Sequence, residues 1–411
     1  MPSFWIPLTG LESSSEALNT IANNLANMNT TGYKAETAQF SDLFYQQLGT
    51  SGNDDPEQFG TGTQIGATTT DFTTGSPTST GVSTNVAIDG DGFFVLQNSS
   101  GYEYSRDGDF SLTSDGYLIS DSGLQVMGYP AVNGAINTGG TLSAIQIPVG
   151  SSIQPKASTE FSVTANLDSG ATVGTSFPAD VTLYDSLGNS YQATITFTNT
   201  GTNAWSYSIA LPSGDASGGT NLTGNLTFDS SGNLTSPTSD VTGITFTGLS
   251  DGASNMSLDW NLYNSAGTST LTQYSGGTSG STQSAQSSDG YASGEYSSMS
   301  VSADGVISVT YSNQQTLDVG QLAMANVVND QGLERLGDNN YATTSASGQA
   351  TDGVAGTAGL GTLDDDALEA SNVDISTQFS NLIVAQQLYE ANSKTVTTFD
   401  TISQDTINMI H

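Results

Sequence analysis

The sequence contains no cysteine, and its single histidine is the last of 411 residues, His411. Without cysteine the chain can form no disulfide, no thiolate metal site and no thiol nucleophile. A lone terminal histidine also argues against a serine–histidine–aspartate triad and against a histidine-rich metal centre. We therefore expect a protein that is not an enzyme and that carries no metal or other cofactor.

Basic residues are also scarce: 5 Lys and Arg stand against 40 Asp and Glu, which gives a formal net charge of −35. Nucleic-acid binding needs clustered cations that displace phosphate counterions, and an anionic membrane surface repels so acidic a chain. No apolar run approaches the ~20 residues of a membrane span. The first residues lack the basic segment and long apolar run of a cleaved secretory signal. We therefore expect no nucleic-acid partner and no membrane insertion.

The two ends of the chain carry apolar residues at helical spacing. In the N-terminal segment Leu11, Leu18 and Leu25 recur every seven residues, while Ile21 and Met28 are offset from them by three. Such heptad spacing is typical of helices that pair in a coiled coil. Towards the C-terminus neither Pro nor Gly interrupts the chain after residue 371, so one helix of up to ~40 residues is allowed. Its predicted seam residues are Ile375, Phe379, Leu382, Gln386, Tyr389 and Val396.

Between these ends the pattern changes to alternation with a period of two, which favours β-strands separated by polar turns. The clearest predicted strands cover 86–88, 93–96, 181–184, 191–198 and 306–311. The sequence therefore predicts a multidomain protein with all-β middle and outer domains. These are flanked by N- and C-terminal α-helices that pair as a coiled-coil-like inner layer.

Stretches rich in Gly, Ser and Thr mark candidate connectors at 48–81, 265–289 and 345–362. Because the two helical ends must meet, the domains between them are expected to be nested in one another. The predicted domains are a terminal helical polymerisation domain (1–30 and 364–411), an extended linker domain (31–81 and 345–363), a middle β domain (82–145 and 286–344) and an inserted outer β domain (146–285).

Aspartates cluster at 89–91, 107–109 and 364–366, which invites a metal-site interpretation. None of the clusters continues into the calcium loop of an EF-hand, which needs further oxygen ligands at fixed positions. Asp-Gly pairs between strands are chiefly turn formers. We interpret the first two clusters as turns. We expect the third in the first turn of the C-terminal helix, where carboxylates complement the helix dipole.

Two long motifs at the ends are more specific. Residues 21–34 (IANNLANMNTTGYK) resemble the N-terminal motif of the flagellar rod and hook axial proteins. Residues 368–374 (LEASNVD) and 386–394 (QQLYEANSK) resemble the C-terminal motif of the same family. Asparagines at fixed helix positions can pair between subunits and fix their register, as a buried Asn does in a coiled coil. The candidate assembly residues are then the seam positions above with Asn24, Asn27, Asn372 and Asn392, and the helix-exit motif is Thr31, Gly32, Tyr33 and Lys34.

The chain also has the large insert that distinguishes hook-type from rod-type members, and 185–190 and 332–339 resemble the hook type. The resemblance implies a structural subunit, exported through the flagellar type III apparatus, that polymerises into a flexible curved tube and transmits motor torque as a universal joint. The implied partners are other copies of the chain, the distal rod, the hook cap, the hook–filament junction proteins and the export apparatus. The implied location is extracellular, in the hook attached to the basal body.

Two alternatives remain open from the sequence. A distal rod protein of the same family shares the terminal motifs, although the insert argues against it. A secreted β-rich adhesin, which belongs to a different class, would explain the polar composition but would leave both helical ends without a role.

Overall fold

The computed structural model describes residues 4–50, 56–132 and 134–410. Met1–Ser3 and His411 of the predicted helical domain, residues 51–55 of the predicted connector at 48–81, and Asn133 lie outside the described residues. The chain divides into two compact units. We call residues 1–149, 298–310 and 316–411 the helix-bearing unit, and residues 150–297 and 311–315 the inserted unit. Among the described helices, neither has the length and hydropathy needed to cross a membrane.

The helix-bearing unit begins with helix α1, Trp5–Ala26. Pro7 lies in its first turn, where the missing N–H has no intrahelical partner to lose. The next strands are β1 (Glu36–Asp42), β2 (Gln46–Thr50), β3 (Pro56–Phe59), β4 (Thr63–Thr70) and β5 (Pro77–Ser79). Strands β1 and β4 pair antiparallel, so the Gly- and Thr-rich segment read as a connector contributes to a β-ladder.

The β body of the helix-bearing unit continues with eight strands. They are β6 (Val86–Asp89), β7 (Phe93–Gln97), β8 (Tyr102–Ser105), β9 (Phe110–Leu112), β10 (Leu118–Ser120), β11 (Gln125–Val132), β12 (Ala135–Ile136) and β13 (Ser143–Ala144). The four apolar residues 93–96 of β7 are all buried, which makes this strand central to the body. The predicted strands at 86–88 and 93–96 are confirmed.

The inserted unit consists of strands alone within the described residues. They are β14 (Ser152–Ile153), β15 (Glu160–Asn166), β16 (Ser176–Tyr184), β17 (Ser190–Gly201), β18 (Ala204–Ala210), β19 (Ala216–Thr220), β20 (Thr223–Phe228), β21 (Leu234–Ser236), β22 (Val241–Leu249), β23 (Met256–Trp260), β24 (Leu271–Thr272) and β25 (Thr282–Ser288). One sheet has the order β19-β22-β23-β15-β24, with β25 on β15, and the other has the order β16-β17-β18-β20-β21.

Both sheets of the inserted unit share one apolar core, in which Trp260 is fully buried. Its ring stacks on Phe161 of its own sheet at a centroid distance of 5.9 Å. From the other sheet, Tyr207 meets it edge-on at 5.1 Å and Phe197 lies at 6.1 Å. Alternate residues of β17 are buried, as the period of two predicts.

The chain then returns to the helix-bearing unit within the next strand, of which residues 294–297 still belong to the inserted unit. The remaining elements are β26 (Gly294–Val301), β27 (Val306–Tyr311), β28 (Thr316–Leu322), β29 (Met324–Asn326), a short 3₁₀ turn (Asp330–Gly332), β30 (Glu334–Gly337), β31 (Asn340–Ala342), β32 (Thr351–Gly353), β33 (Thr362–Asp365), β34 (Ala367–Glu369) and helix α2 (Ile375–Ile410). Strands from both halves interleave in the order β28-β11-β7-β8-β31-β30, while β33 pairs with β6 and β34 with β5.

The expectation that Asp364–Asp366 lie in the first turn of the C-terminal helix is wrong. Asp364 and Asp365 belong to β33, where Asp365 lies opposite Val86, and Asp366 adopts a left-handed φ of 55°. Pairing with β6 places Asp364 and Asp365 in a ladder instead, and Asp366 forms the turn that follows. The start of α2 is capped by Asp374, whose Oδ1 accepts the N–H of Thr377 at 2.9 Å.

The predicted fold class is confirmed, because a β-rich chain is flanked by one helix at each end.

Candidate assembly surface of the terminal helices

Helices α1 and α2 pack against each other in antiparallel orientation. Near the start of α1 the rings of Phe4 and Phe399 meet edge-on at a centroid distance of 6.0 Å. Near its end Asn24 Nδ2 donates to Gln378 Oε1 at 3.4 Å. The last turns of α2, residues 400–410, therefore extend past the described start of α1.

The buried face of α1 is formed by small or polar residues rather than by its leucines. Its buried residues are Pro7, Ser13, Ser14, Ala17 and Asn24. The predicted N-terminal seam lies at the edge of this face, and its members are only half-buried: Leu11, Leu18, Ile21, Leu25 and Met28. Small side chains let the neighbouring elements approach closely, so within this chain they hold the contact that the leucines were expected to hold.

Gly10 shows how close that approach is. A Cβ built at this position would lie 2.8 Å from Nδ2 and 2.9 Å from Cγ of Asn392. One heptad earlier on α2, Ala385 is 5% exposed. The contact line of α2 is therefore formed by residues seven apart, which include Gln378, Ala385, Asn392 and Phe399.

The predicted seam of α2 flanks this contact line, and four of its six residues remain exposed. Ile375 is 45% exposed, Phe379 48% and Tyr389 37%, while Leu382 and Val396, at its border with the contact line, are half-buried. Gln386 is exposed as well. We call the predicted seam residues of α2 the outer stripe. Pairing with α1 covers one face of α2 and leaves most of the outer stripe exposed for contact with another molecule.

A groove of about 250 Å³ runs between α1, β1 and α2. Its lining includes Ala17 and Ile21 of α1 and Val384 and Leu388 of α2. Val384 and Leu388 are 55% and 50% exposed, respectively. Apolar surface therefore surrounds α2 on both sides of its contact with α1.

Asn24 is fully buried and is satisfied within its own chain. Its Oδ1 accepts the N–H of Glu36 at 2.9 Å and the hydroxyl of Tyr33 at 3.1 Å, and its Nδ2 donates to the Glu36 carbonyl at 2.7 Å. Burial raises the pKa of the Tyr33 hydroxyl, with the Glu36 carboxylate adding to the effect. Asn24 thus anchors the end of α1 to the first residue of β1.

The other motif asparagines differ in their surroundings. Asn27 Nδ2 donates to the carbonyl of Asn23 at 3.0 Å, within the last turn of α1. Asn372 Oδ1 accepts the N–H of Ala35 at 2.8 Å, and its Nδ2 donates to the carbonyl of Asp71 at 2.8 Å. Asn372 therefore joins the segment before α2 to both strands at one end of the β1–β4 ladder, where Glu36 is paired with Thr70. Asn392, as described, lies against Gly10.

The helix-exit motif turns the chain from α1 into the β body. Gly32 has a φ of +65°, a conformation that glycine adopts without strain, and its N–H donates to the Glu369 carbonyl at 2.8 Å. A Cβ on Gly32 would lie 2.8 Å from the carbonyl carbon of Arg106. The carbonyl of Thr31 accepts from Asn339 Nδ2 at 2.7 Å. The motif is therefore fixed by backbone contacts that leave no room for a side chain at Gly32.

Arg106 and Glu369, which were not among the predicted site residues, complete this junction. Lys34 Nζ lies 2.6 Å from Glu369 Oε1, and Arg106 Nη1 lies 3.5 Å from Glu369 Oε2, with all three side chains almost fully buried. Burial, with the charge of Arg106, lowers the pKa of Lys34 although Glu369 opposes the change. The one signal in the sequence that could have identified Glu369 as a site residue is its position in the LEASNVD motif.

A polar cavity of about 240 Å³ lies beside the exit turn, between Thr30, Asp107, Asp121 and Asp338. Burial raises the pKa of Asp107 to about 6, opposed by the hydrogen bond from the Asp109 N–H. Despite these carboxylates, no group of three or more acidic or histidine side chains in the described ranges has the arrangement of a metal site.

Sequence comparisons match the chain piece by piece. Residues 8–34 match the family "Flagella basal body rod protein", and residues 87–166 match "Flagellar hook protein FlgE/F/G D1 domain". Residues 154–291 match "Flagellar basal body protein FlaE D2 domain", and residues 365–409 match "Flagellar basal body rod FlgEFG protein C-terminal". The matches at the two ends cover most of both terminal helices.

Proteins that are similar over the whole chain are also flagellar hook and rod proteins. The flagellar hook protein FlgE of Escherichia coli is 34% identical over 98% of this chain and 98% of its own. The basal-body rod protein FlgG of Buchnera aphidicola is more distant, at 25% identity over 98% of each chain. The crystal structure of the Helicobacter pylori hook protein FlgE2, 16% identical, has a similar fold, with a TM-score of 0.51 over 71% of this chain and 100% of that one. The chain belongs to the flagellar hook protein family, whose members are structural subunits of the hook.

Proposed function

We propose that this hook subunit polymerises into a flexible curved tube that acts as a universal joint between motor and filament. The observation that carries the proposal is the outer stripe of α2, most of which stays exposed after α1 has packed against the helix. Ile375, Phe379 and Tyr389 are 37–48% exposed. Large apolar side chains left exposed along one helix face mark a contact with another molecule. In a homopolymer that molecule is a second copy.

In the proposed tube the terminal helices form the inner layer. The paired helices of each copy offer the outer stripe, and the half-buried leucines of α1 lie beside it. Contacts of this kind repeat along a helical polymer because each subunit presents the same two surfaces. We therefore propose four domains. The polymerisation domain consists of 1–30 and 364–411, and the linker domain, which joins it to the rest of the chain, of 31–81 and 345–363. The middle layer of the tube consists of 82–145 and 286–344, and the outer layer of 146–285.

Bending requires outer surfaces that adhere weakly. In the inserted unit the outward positions of β17 are Ser190, Gln192, Thr194, Thr196 and Thr198, while the apolar residues between them are buried. Hydroxyl and amide side chains exchange hydrogen bonds with water at little net cost. Neighbouring copies can therefore slide past one another as the tube rotates while bent.

We further propose that the subunit has no enzymatic activity. By its family it would meet the distal rod, the hook cap, the hook–filament junction proteins and the type III export apparatus, and it would function outside the cell. A distal rod protein remains the nearest rival, and the lower identity to FlgG disfavours it. The adhesin alternative gives the exposed outer stripe no purpose.

Electron microscopy of the purified full chain tests this proposal. We expect curved tubes from the full chain and none from a truncated chain that lacks 1–30 and 364–411, because that chain has lost both helices. Straight rods would favour the rod protein. If the truncated chain still formed tubes, the terminal helices would not be the polymerising elements.

A further inference from the structure

Three of the five basic residues of this acidic chain converge where the terminal segments meet the β body. Lys34 and Arg106 both contact Glu369, and these three side chains are 1–2% exposed. Arg335 forms a second, more accessible ion pair with Glu36 at 2.6 Å. We call Lys34, Arg106 and Glu369 the junction cluster.

Four separate parts of the chain meet at Glu369. Its Oε1 accepts from Lys34, just after α1, and from the N–H of Gly75, between β4 and β5, at 2.7 Å. Its Oε2 faces Arg106 of the β body. Its own carbonyl accepts the N–H of Gly32. Glu369 itself ends β34, shortly before α2, so a single residue connects both helices to the body.

Close backbone packing surrounds the same residue. A Cβ on Gly75 would lie 1.9 Å from the carbonyl oxygen of Ala370, and Lys34 Nζ also donates to the carbonyl of Thr73 at 2.8 Å. A change in the direction of either terminal segment would therefore break the cluster. The helices cannot turn relative to the body while these contacts persist.

If the junction cluster served only to stabilise the fold, its desolvation cost would be hard to explain. Three charges are removed from water, and Arg106 Nε has no hydrogen-bond partner among the described residues. Well-packed neutral residues often replace a buried ion cluster without loss of stability, whereas removing one partner leaves an uncompensated charge. The arrangement is therefore better explained by the geometry that it enforces than by its contribution to the free energy of unfolding.

We propose that Glu369 is a positioning residue that fixes the direction in which α1 and α2 leave the β body, so that torque passes through this junction rigidly. Bending of the tube would then take place elsewhere. The proposal rests on the function proposed above, because it concerns how a polymer subunit carries load.

Three variants of the full chain test the proposal. Glu369→Gln keeps the shape and leaves two cations unpaired. The triple variant Lys34→Met, Arg106→Met, Glu369→Gln makes the cluster neutral and keeps an acceptor for the Gly75 N–H. The matched control Glu36→Gln breaks the accessible ion pair at the same junction.

We expect the melting temperature of Glu369→Gln to be lower than that of the wild type. The melting temperatures of the triple variant and of the control should be close to that of the wild type. In the unpolymerised chain, amide hydrogen exchange at Gly32 should be about tenfold faster in Glu369→Gln than in the wild type. This factor corresponds to a decrease of about 1.4 kcal/mol in the free energy of local opening. In electron micrographs, tubes of Glu369→Gln and of the triple variant should show a broader range of curvature than tubes of the wild type or the control.

Triple-variant tubes with wild-type curvature would overturn the proposal, since the cluster would then serve stability alone. Unchanged Gly32 exchange in Glu369→Gln would overturn it independently, even if the triple variant failed to fold. Absence of tubes from the wild-type chain would instead contradict the proposed function, so the two failures are distinguishable.

Discussion

The side chain of Asn392 on α2 occupies the space that a side chain on Gly10 of α1 would need. Gly10→Ala favours the isolated helix by about 1 kcal/mol, yet its methyl group would meet Asn392 at under 3 Å. We expect weaker pairing of the helices and a higher critical concentration for tube formation, measured by sedimentation.

A second substitution tests the cause of that effect. Asn392→Ala removes the atoms that Gly10→Ala would meet, so the double variant should recover part of the lost assembly. If the two effects simply add, the contact between these two residues does not limit how closely the helices approach.

The pH dependence of stability should report on Asp107. Its pKa is raised from 3.8 to about 6, so the native state binds this proton more tightly than the unfolded chain does. The resulting stability is complete below about pH 4 and is lost as the pH rises through about 6. Asp107→Asn should therefore raise the melting temperature at pH 8, by an amount equivalent to roughly 1 kcal/mol after allowance for partial exposure, and much less at pH 5.

The exposed turn residue Asp115 provides the control, because Asp115→Asn removes the same charge without a buried environment. Equal stabilisation by both substitutions would show that the net charge of the chain matters, and not the surroundings of Asp107.

The inserted unit should be removable. Ile153 and Gly294 are direct partners in an antiparallel pair, so a chain that lacks 154–293 can be closed by a short Gly-Ser join. We expect this chain to polymerise into tubes that are straighter or irregularly curved, because outer contacts are lost. A folded deletion chain that forms no tubes would place the inserted unit among the elements required for assembly.

Assembly should also depend on salt. Copies with a net charge of −35 repel one another when packed side by side. The Debye length falls from about 30 Å at 0.01 M salt to about 10 Å at 0.1 M, so added NaCl should increase the mass of polymer that sediments. Equal yields at both concentrations would indicate that the acidic surfaces of neighbouring copies do not face each other.

The sequence predicted the elements better than their contacts. Heptad spacing identified both helices, since large apolar residues produce a strong periodic signal. The face on which they pair within one chain could not be predicted, because Gly10, Ser14, Ala17 and Ala385 carry almost no hydrophobic signal. Sequence spacing could show that the outer stripe exists, but not that it stays exposed.

The junction cluster shows a second limit. Lys34 and Glu369 are 335 positions apart, so local patterns contain no information about their contact. The same limit explains the wrong prediction for Asp364–Asp366. An acidic triplet before a helix is a reasonable helix start by local rules, and only pairing with the distant strand β6 makes Asp364 and Asp365 part of a strand.

The central claim is that the outer stripe of α2 joins one copy of the chain to the next. Phe379 and Ser380 are adjacent and both exposed, but only Phe379 belongs to the stripe. An unpaired carboxylate buried at an interface costs several kcal/mol, whereas one facing solvent costs little. Tube formation by Phe379→Asp and by Ser380→Asp, compared in electron micrographs at equal concentration, is therefore the most direct test. The account predicts tubes from Ser380→Asp and none from Phe379→Asp, with both monomers folded; normal tubes from Phe379→Asp would contradict it.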